Sequence, residues 1–190
     1  MFLVAGLGNP GPRYADTRHN FGFLALDALA ARLGADPFRD KFSAQQSRAV
    51  LASEELILLK PQTFMNLSGQ SVQPAAAFFK VPTAQVIVLH DELDLPFGEV
   101  RLKQGGGHAG HNGLRSLLER LGSPEFFRIR LGIGRPPPAF RDVADYVLAR
   151  FEPDERPQLP ALCERAVDMV RDLATLGPTG AMNRHHARKK

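Results

Sequence analysis

The feature that most constrains this chain is the apolar run Phe2-Leu-Val-Ala5, which empties directly into Gly6-Leu-Gly-Asn-Pro-Gly11. A second such run, Val86-Ile-Val-Leu89, ends the same way, in His90-Asp-Glu-Leu-Asp94. Short uninterrupted apolar runs are buried on both faces, as central strands are when helices cover both sides of a sheet. Polar side chains delivered where buried strands end are the usual raw material of a site in α/β proteins.

Around these runs the pattern predicts a strand at 2–5, a helix at about 20–33 stopped by Gly34, and two β-like runs at 46–51 and 55–60. Ala-Ser-Glu joins the last two as a hairpin. Helices follow at 68–79, with Ser68 as candidate N-cap, at 112–121, at 142–149 and from about Asp154 to Leu176. Strands are expected at 86–89, 99–103 and 127–132, and a loop at Pro136-Pro-Pro138. Strands and helices alternate with one hairpin inserted. The fold class is therefore α/β, a single three-layer domain with a mixed twisted β-sheet and helices on both faces.

With 190 residues and 44% apolar content, one domain can bury a full core without staples. The single cysteine, Cys163, excludes an internal disulfide and fits a reducing compartment. It sits at helical spacing among Leu159, Leu162, Ala166 and Val167, so it reads as a core thiol rather than a nucleophile. No run approaches the ~20 apolar residues of a membrane span. The expectation is a soluble, cytoplasmic protein that does not engage a membrane.

Net charge is +4, all of it supplied by the last seven residues, Arg184–Lys190, which hold four Lys/Arg and no acid. Residues 1–183 are read as the folded unit, and 184–190 as a basic tail, either a solvated end or a nucleic-acid arm. Within the body, Gly98–Arg135 carries seven Lys/Arg against three acids, which suits a polyanion partner.

Gly6, Gly8 and Gly11 satisfy G-x-G-x-x-G after a strand, as a dinucleotide site would require. Pro10 and Pro12, however, remove two N–H donors where pyrophosphate would sit, and the helix begins several residues too late. The acid expected about 20 positions on, Asp27, falls inside that helix. A nicotinamide or flavin site is not expected.

Three polar clusters remain. The first carries Asn9, Tyr14 and His19; the second is Thr63-Phe-Met-Asn-Leu-Ser-Gly69, with Phe64 and Met65 as an apolar wall and Asn66 as an amide. The third runs from His90-Asp91 to Gly105-Gly-Gly-His-Ala-Gly-His-Asn-Gly113. A carboxylate leaving a buried strand is partly desolvated and calls for a donor, and a histidine from another loop is the natural partner. His90, the last residue of an apolar strand, reads as structural. Gly107, His108 and His111 belong to a glycine-rich segment that suits close approach to a ligand or a lid. His108, His111 and Asp91 also make a possible two-His, one-carboxylate metal set, but H-E-x-x-H spacing and cysteine ligands are lacking, so no metal is expected.

The stretches GLGNPGPRYADTRHNFG, KPQTFMNLSGQSV, HDELDLPFGEVRLKQGGGHAGHNGLRS and FRIRLGIGRP, with the final Met182-Asn-Arg-His185, closely resemble bacterial peptidyl-tRNA hydrolases across essentially the whole chain. The resemblance implies a monomeric enzyme, free of metal and cofactor, that cleaves the ester between a peptide and the 3′ ribose of tRNA. It implies His19 as catalytic base, oriented by Asp91. Asn9, Tyr14, Phe64, Asn66 and Asn112 would then line the peptide and ester site. Arg101, Lys103 and Arg130 would contact tRNA phosphate near the acceptor stem, the last two forming the clamp. Ala109 stands where many relatives have glycine, which should stiffen the lid. Some organelle relatives act as RNA-splicing partners, so a non-catalytic RNA-binding module on the same fold is the main rival. An ester needs no covalent nucleophile: a neutral imidazole can deprotonate water, with donors such as the Asn66 amide and nearby backbone N–H groups holding the oxyanion.

Overall fold

The computed structural model describes residues 1–186. Its centre is β1 (Phe2–Gly6), flanked on both sides by parallel partners, β4 (Glu54–Pro61) and β5 (Val86–Glu92). All seven residues of β5 are buried, as an uninterrupted apolar run demands. The sheet extends through β3 (Ala44–Leu51) and β2 (Arg39–Lys41) on one side. On the other lie β7 (Phe127–Gly132) and β6 (Val100–Gln104). The order β2-β3-β4-β1-β5-β7-β6 is parallel across β4-β1-β5-β7 and antiparallel at both edges. The mixed sheet expected from the sequence is thus observed.

Helices cover both faces. Those on one side are α1 (Phe21–Leu33) and α5 (Leu159–His186); Leu26, Leu29, Val170 and Leu173 meet Val4, Leu58 and Leu89 there. On the other side are α2 (Gly69–Phe78) and α3 (Asn112–Leu121), where Val72 and Leu117 pack on Leu3, Ile57 and Val88. Each such aliphatic side chain contributes about 1.5–3 kcal/mol when fully buried. Cys163 is in the first of these layers, and burial pushes its thiol pKa up to about 12, consistent with an inert core group.

Two features set the stage for a site. First, β4, α2 and β5 step across β1, so the segments after β1, β4 and β5 converge at the carboxyl ends of the central strands. Second, α1 touches the sheet edge-on at Gly22. A Cβ there would lie 2.3 Å from the Leu89 carbonyl oxygen and 2.6 Å from the Leu7 nitrogen, so only glycine allows this approach. The single turn Arg18–Asn20, which precedes α1, is consequently seated over the ends of β1 and β5.

Several elements differ from the sequence reading. Arg39–Lys41 forms a short, fully exposed edge strand that carries no apolar alternation to announce it. The hairpin turn is Ala52-Ser53 rather than Ala-Ser-Glu, because Ala52 takes φ 55° and Glu54 already pairs with Leu51. Ser68 does not cap α2: its hydroxyl donates back to the Met65 carbonyl, 2.8 Å away. The helix expected at 142–149 is the shorter α4 (Val143–Val147), capped by Asp142, which accepts from the Asp145 N–H at 2.8 Å. Gly34 does end α1 in the left-handed conformation, at φ 57°.

The last helix begins at Leu159, after a 3-10 turn at Arg156–Gln158, and continues past the expected stop at Leu176. Gly177 breaks it at φ 70°, and Pro178 occupies a first-turn position where an N–H is not needed. His185 Nε2 then reaches the buried Asp172 carboxylate at 2.8 Å. The basic tail expected from residue 184 therefore begins inside this helix, and residues 187–190 lie outside the described residues.

Candidate active site

Asp91 leaves the end of β5 and is 2% exposed. Its two carboxylate oxygens have different partners. Oδ2 accepts from His19 Nδ1 at 2.8 Å, and Oδ1 accepts from His111 Nε2 at 2.9 Å. Burial alone would raise this carboxyl's pKa, but the two imidazoles hold it well below the usual carboxylate range. For His19, burial would lower the pKa, yet the charge and hydrogen bond of Asp91 outweigh it and leave the ring above the ordinary histidine value.

The hydrogen bonds fix the proton positions. His111 is the N-cap of α3, and its Nδ1 accepts from the N–H groups of Gly113 (3.1 Å) and Leu114 (3.3 Å). Its remaining proton therefore sits on Nε2 and points at Asp91. His19 donates its Nδ1–H to the same carboxylate, which leaves the Nε2 lone pair free on the nitrogen not engaged with Asp91.

The turn bearing His19 is held from below. Arg18 is buried, donates to the Arg150 carbonyl (2.7 Å) and to Glu155 (3.2 Å), and stacks over the Tyr146 ring. Asn20 brackets the backbone of Asn9: it accepts the Asn9 N–H at 2.8 Å and donates to the Asn9 carbonyl at 2.9 Å. Asn9 in turn accepts the Met65 N–H through its side-chain oxygen at 2.8 Å, which joins the first and second polar clusters and leaves its NH2 group unengaged in that bond.

These residues line a cleft of about 500 Å³. His19, Asp91 and His111 lie along it with the amides of Asn9, Asn66 and Asn112; Phe64 and Met65 form one apolar wall. A second apolar lining, Val143, Val147 and Leu148 of α4 and its end, had no sequence signal beyond three aliphatic residues in a short helix. Phe64 is 57% exposed, and Val143 and Leu148 are also exposed, so the cleft is open and apolar on two sides. Asn112 accepts from Arg115 through Oδ1 at 2.9 Å, which orients its NH2 group.

Not every expected residue joins them. Tyr14 lies on the turn Pro12–Tyr14, under the Arg13 guanidinium, and is not among the cleft-lining residues. Arg101, Lys103 and Arg130 lie outside the cleft on the β6–β7 ribbon, where Arg101 and Arg130 are directly opposite each other. Arg101 pairs with Glu99 (3.0 Å) and Arg130 with Glu92 (3.1 Å). The glycine-rich segment is tied at both ends: the buried Arg128 donates to the carbonyls of Gly106 and Gly107, and His111 bonds Asp91. Only the stretch His108–Gly110 lies between these ties, with His108 Nδ1 accepting from the Gly110 N–H at 3.0 Å.

The metal alternative also changes. Among the described residues, those whose ligand atoms converge within 4.8 Å are His19, Asp91 and His111, not His108. A cation held by this set would have to replace the proton on His111 Nε2 while Nδ1 keeps accepting two amide protons, which would demand an imidazolate. The donor set fits a hydrogen-bonded triad and not a metal centre. His90, expected to be structural, is fully buried and donates from Nδ1 to the Asp91 carbonyl at 2.8 Å. Burial, with His111 nearby, pushes its pKa down to about 3, so it stays neutral.

The chain is also similar to known proteins along nearly its full length. A profile described as peptidyl-tRNA hydrolase matches residues 3–190. The chain is 59% identical to the peptidyl-tRNA hydrolase of Sorangium cellulosum, over 100% of this chain and 86% of that protein. It is 51% identical to that of Mycobacterium marinum, over 97% of each chain. Among solved structures, the peptidyl-tRNA hydrolase of Acinetobacter baumannii superposes with a TM-score of 0.91 at 39% identity, covering 98% of this chain and 95% of that one. On the match of family profile, sequence and fold, this chain belongs to the peptidyl-tRNA hydrolase family.

Proposed function

We propose that this chain hydrolyses the ester between the peptide and the 3′ ribose of peptidyl-tRNA, with His19 as general base. The observation that carries the reading is the Asp91 carboxylate shared by His19 Nδ1 and His111 Nε2. His19 Nε2 takes a proton from water, the hydroxide attacks the ester carbonyl, and Asp91 stabilises the imidazolium. His111 donates a hydrogen bond from Nε2 to the other carboxylate oxygen and so holds Asp91 in register. The leaving ribose hydroxyl regains a proton from His19 or through water.

The NH2 groups of Asn9 and Asn112, each fixed through its own carbonyl oxygen, are donors for the peptide carbonyls or the attacking water. Asn66 and nearby backbone N–H groups serve the oxyanion. Recognition of backbone groups between two apolar walls suits peptides of any sequence, and Phe64 and α4 supply those walls. Tyr14 acts at the approach to the cleft, and the stretch His108–Gly110, between the ties at Gly107 and His111, forms its lid. The acceptor stem lies along β6 and β7, with Lys103 and Arg130 as the principal phosphate contacts and Arg101 beside them. The working form is a monomer of the bacterial cytoplasm that recycles tRNA from aborted translation; no described helix is long and apolar enough to cross a membrane.

The test is release of N-acetylated amino acid from tRNA by the purified protein. His19→Ala is expected to abolish turnover while leaving tRNA affinity within about twofold. Turnover that survives this change removes His19 as the base. A wild-type protein that binds tRNA without cleaving it favours the RNA-binding module.

A further inference from the structure

Glu92 stands between two regions that the proposed function uses separately. It is the last residue of β5, follows Asp91, and lines the catalytic cleft. Its Oε1 also accepts from Arg130 Nη1 at 3.1 Å, on the β6–β7 ribbon outside that cleft. Both side chains are largely shielded, at 11% exposure for Glu92 and 23% for Arg130. Arg130 Nε is buried without a hydrogen-bond partner among the described residues.

The neighbouring cations are engaged differently. Arg128 is committed to the carbonyls of Gly106 and Gly107 and is buried, so it offers nothing to an outside anion. Lys103 is exposed and has no carboxylate within ion-pair distance among the described residues. Arg130 alone combines an internal, mostly buried carboxylate with spare donors. A phosphate taking two guanidinium N–H groups would have to share or displace Glu92, and would sit beside its negative charge. Burial, opposed by the Arg130 charge, leaves the Glu92 carboxyl above its ordinary pKa, so this one cation does not fully compensate it.

We propose that Glu92 is an internal counterion that competes with tRNA phosphate for Arg130 and thereby weakens the enzyme's hold on the tRNA body. Such a group suits a hydrolase whose product, free tRNA, retains every phosphate of the substrate. The chemical step removes only the acyl group, so release depends on a phosphate site that does not bind too tightly. This inference rests on the reading of Arg130 as a phosphate contact.

The experiment measures binding of deacylated tRNA across a salt series for wild type, Glu92→Gln, Arg130→Gln and the double variant. Glutamine keeps an acceptor for Arg130 and removes the charge, and thermal melting confirms that each variant is folded. Glu92→Gln is expected to lower Kd about fivefold and to steepen the log Kd against log salt slope by about one. Arg130→Gln should weaken binding and flatten that slope, and adding Glu92→Gln to it should restore nothing. Unchanged or weaker binding by Glu92→Gln overturns the proposal while leaving the phosphate reading intact. Equal tightening in the Arg130→Gln background also overturns it, as a general charge effect. An Arg130→Gln protein that binds like wild type overturns the phosphate reading and this proposal together.

Discussion

Replacing Asp91 by asparagine tests more than the loss of a charge. Both oxygens of Asp91 accept N–H donors, one from His19 and one from His111, whereas asparagine offers one acceptor and one donor. One imidazole must therefore change tautomer. His111 cannot, because its Nδ1 already accepts from the Gly113 and Leu114 amides at the start of α3. The asparagine oxygen should turn to His111 and its NH2 group to His19. That forces the His19 proton onto Nε2, the nitrogen that must abstract a proton from water.

The lost charge adds to this. Unit charges about 4 Å apart at an effective dielectric of about 20 interact by about 4 kcal/mol, which corresponds to roughly a thousandfold in rate. Together these effects predict a kcat for Asp91→Asn lower by about 10³–10⁴. Affinity for tRNA should change by less than about twofold, since Asp91 is 2% exposed and lies in the cleft floor rather than on the basic ribbon. Single-turnover hydrolysis of N-acetyl-aminoacyl-tRNA, with a parallel binding titration, gives both numbers. Activity within tenfold of wild type would refute the tautomer argument, and a pure affinity loss would refute the orienting role.

Other outcomes follow from the same geometry. Because Asp91 holds the His19 pKa above its ordinary value, and the base works unprotonated, kcat/KM should fall as pH drops through a value above about 6.5; in Asp91→Asn any residual acid limb should move lower, because burial remains and the counter-charge is gone. Lys103→Ala combined with Arg130→Ala should weaken tRNA binding and flatten its salt dependence, whereas an unchanged slope in a titration would move the phosphate site elsewhere. Gly22→Ala should cost more than about 2 kcal/mol in a denaturant titration, since the new methyl would meet three backbone atoms inside 3 Å. Activity should survive a chelator, and a loss restored by added metal would contradict the proton assignment of His111.

Much of the fold was readable because its central strands are buried on both faces and so carry no polar interruption. The runs at Phe2–Ala5 and Val86–Leu89 became β1 and β5, and the polar residues at their ends met in one cleft. The edge was not readable: Arg39–Lys41 is exposed throughout, and its strand character comes from pairing with Ala44–Gln46 rather than from its own residues. Within the site, His111 was grouped with a lid because spacing in a glycine-rich loop says nothing about which nitrogen faces a carboxylate. Its bond to Asp91, 20 residues earlier in the chain, is a long-range fact, and its cap on α3 is local geometry that residue spacing does not announce. Arg128 was invisible for a similar reason. Alternation places it on the face of the sheet, but only the returning chain shows that it is buried against the carbonyls of Gly106 and Gly107. The helix beyond Gly177 likewise depends on a distant contact, His185 with Asp172.

The most direct measurement is the ¹⁵N chemical shift of the two His19 ring nitrogens as a function of pH, set beside the pH profile of kcat/KM. The account predicts a neutral ring protonated at Nδ1 and bare at Nε2, gaining its second proton at the pH where the acid limb of activity falls. A neutral His19 carrying its proton on Nε2, or a ring that does not titrate across that limb, would contradict it.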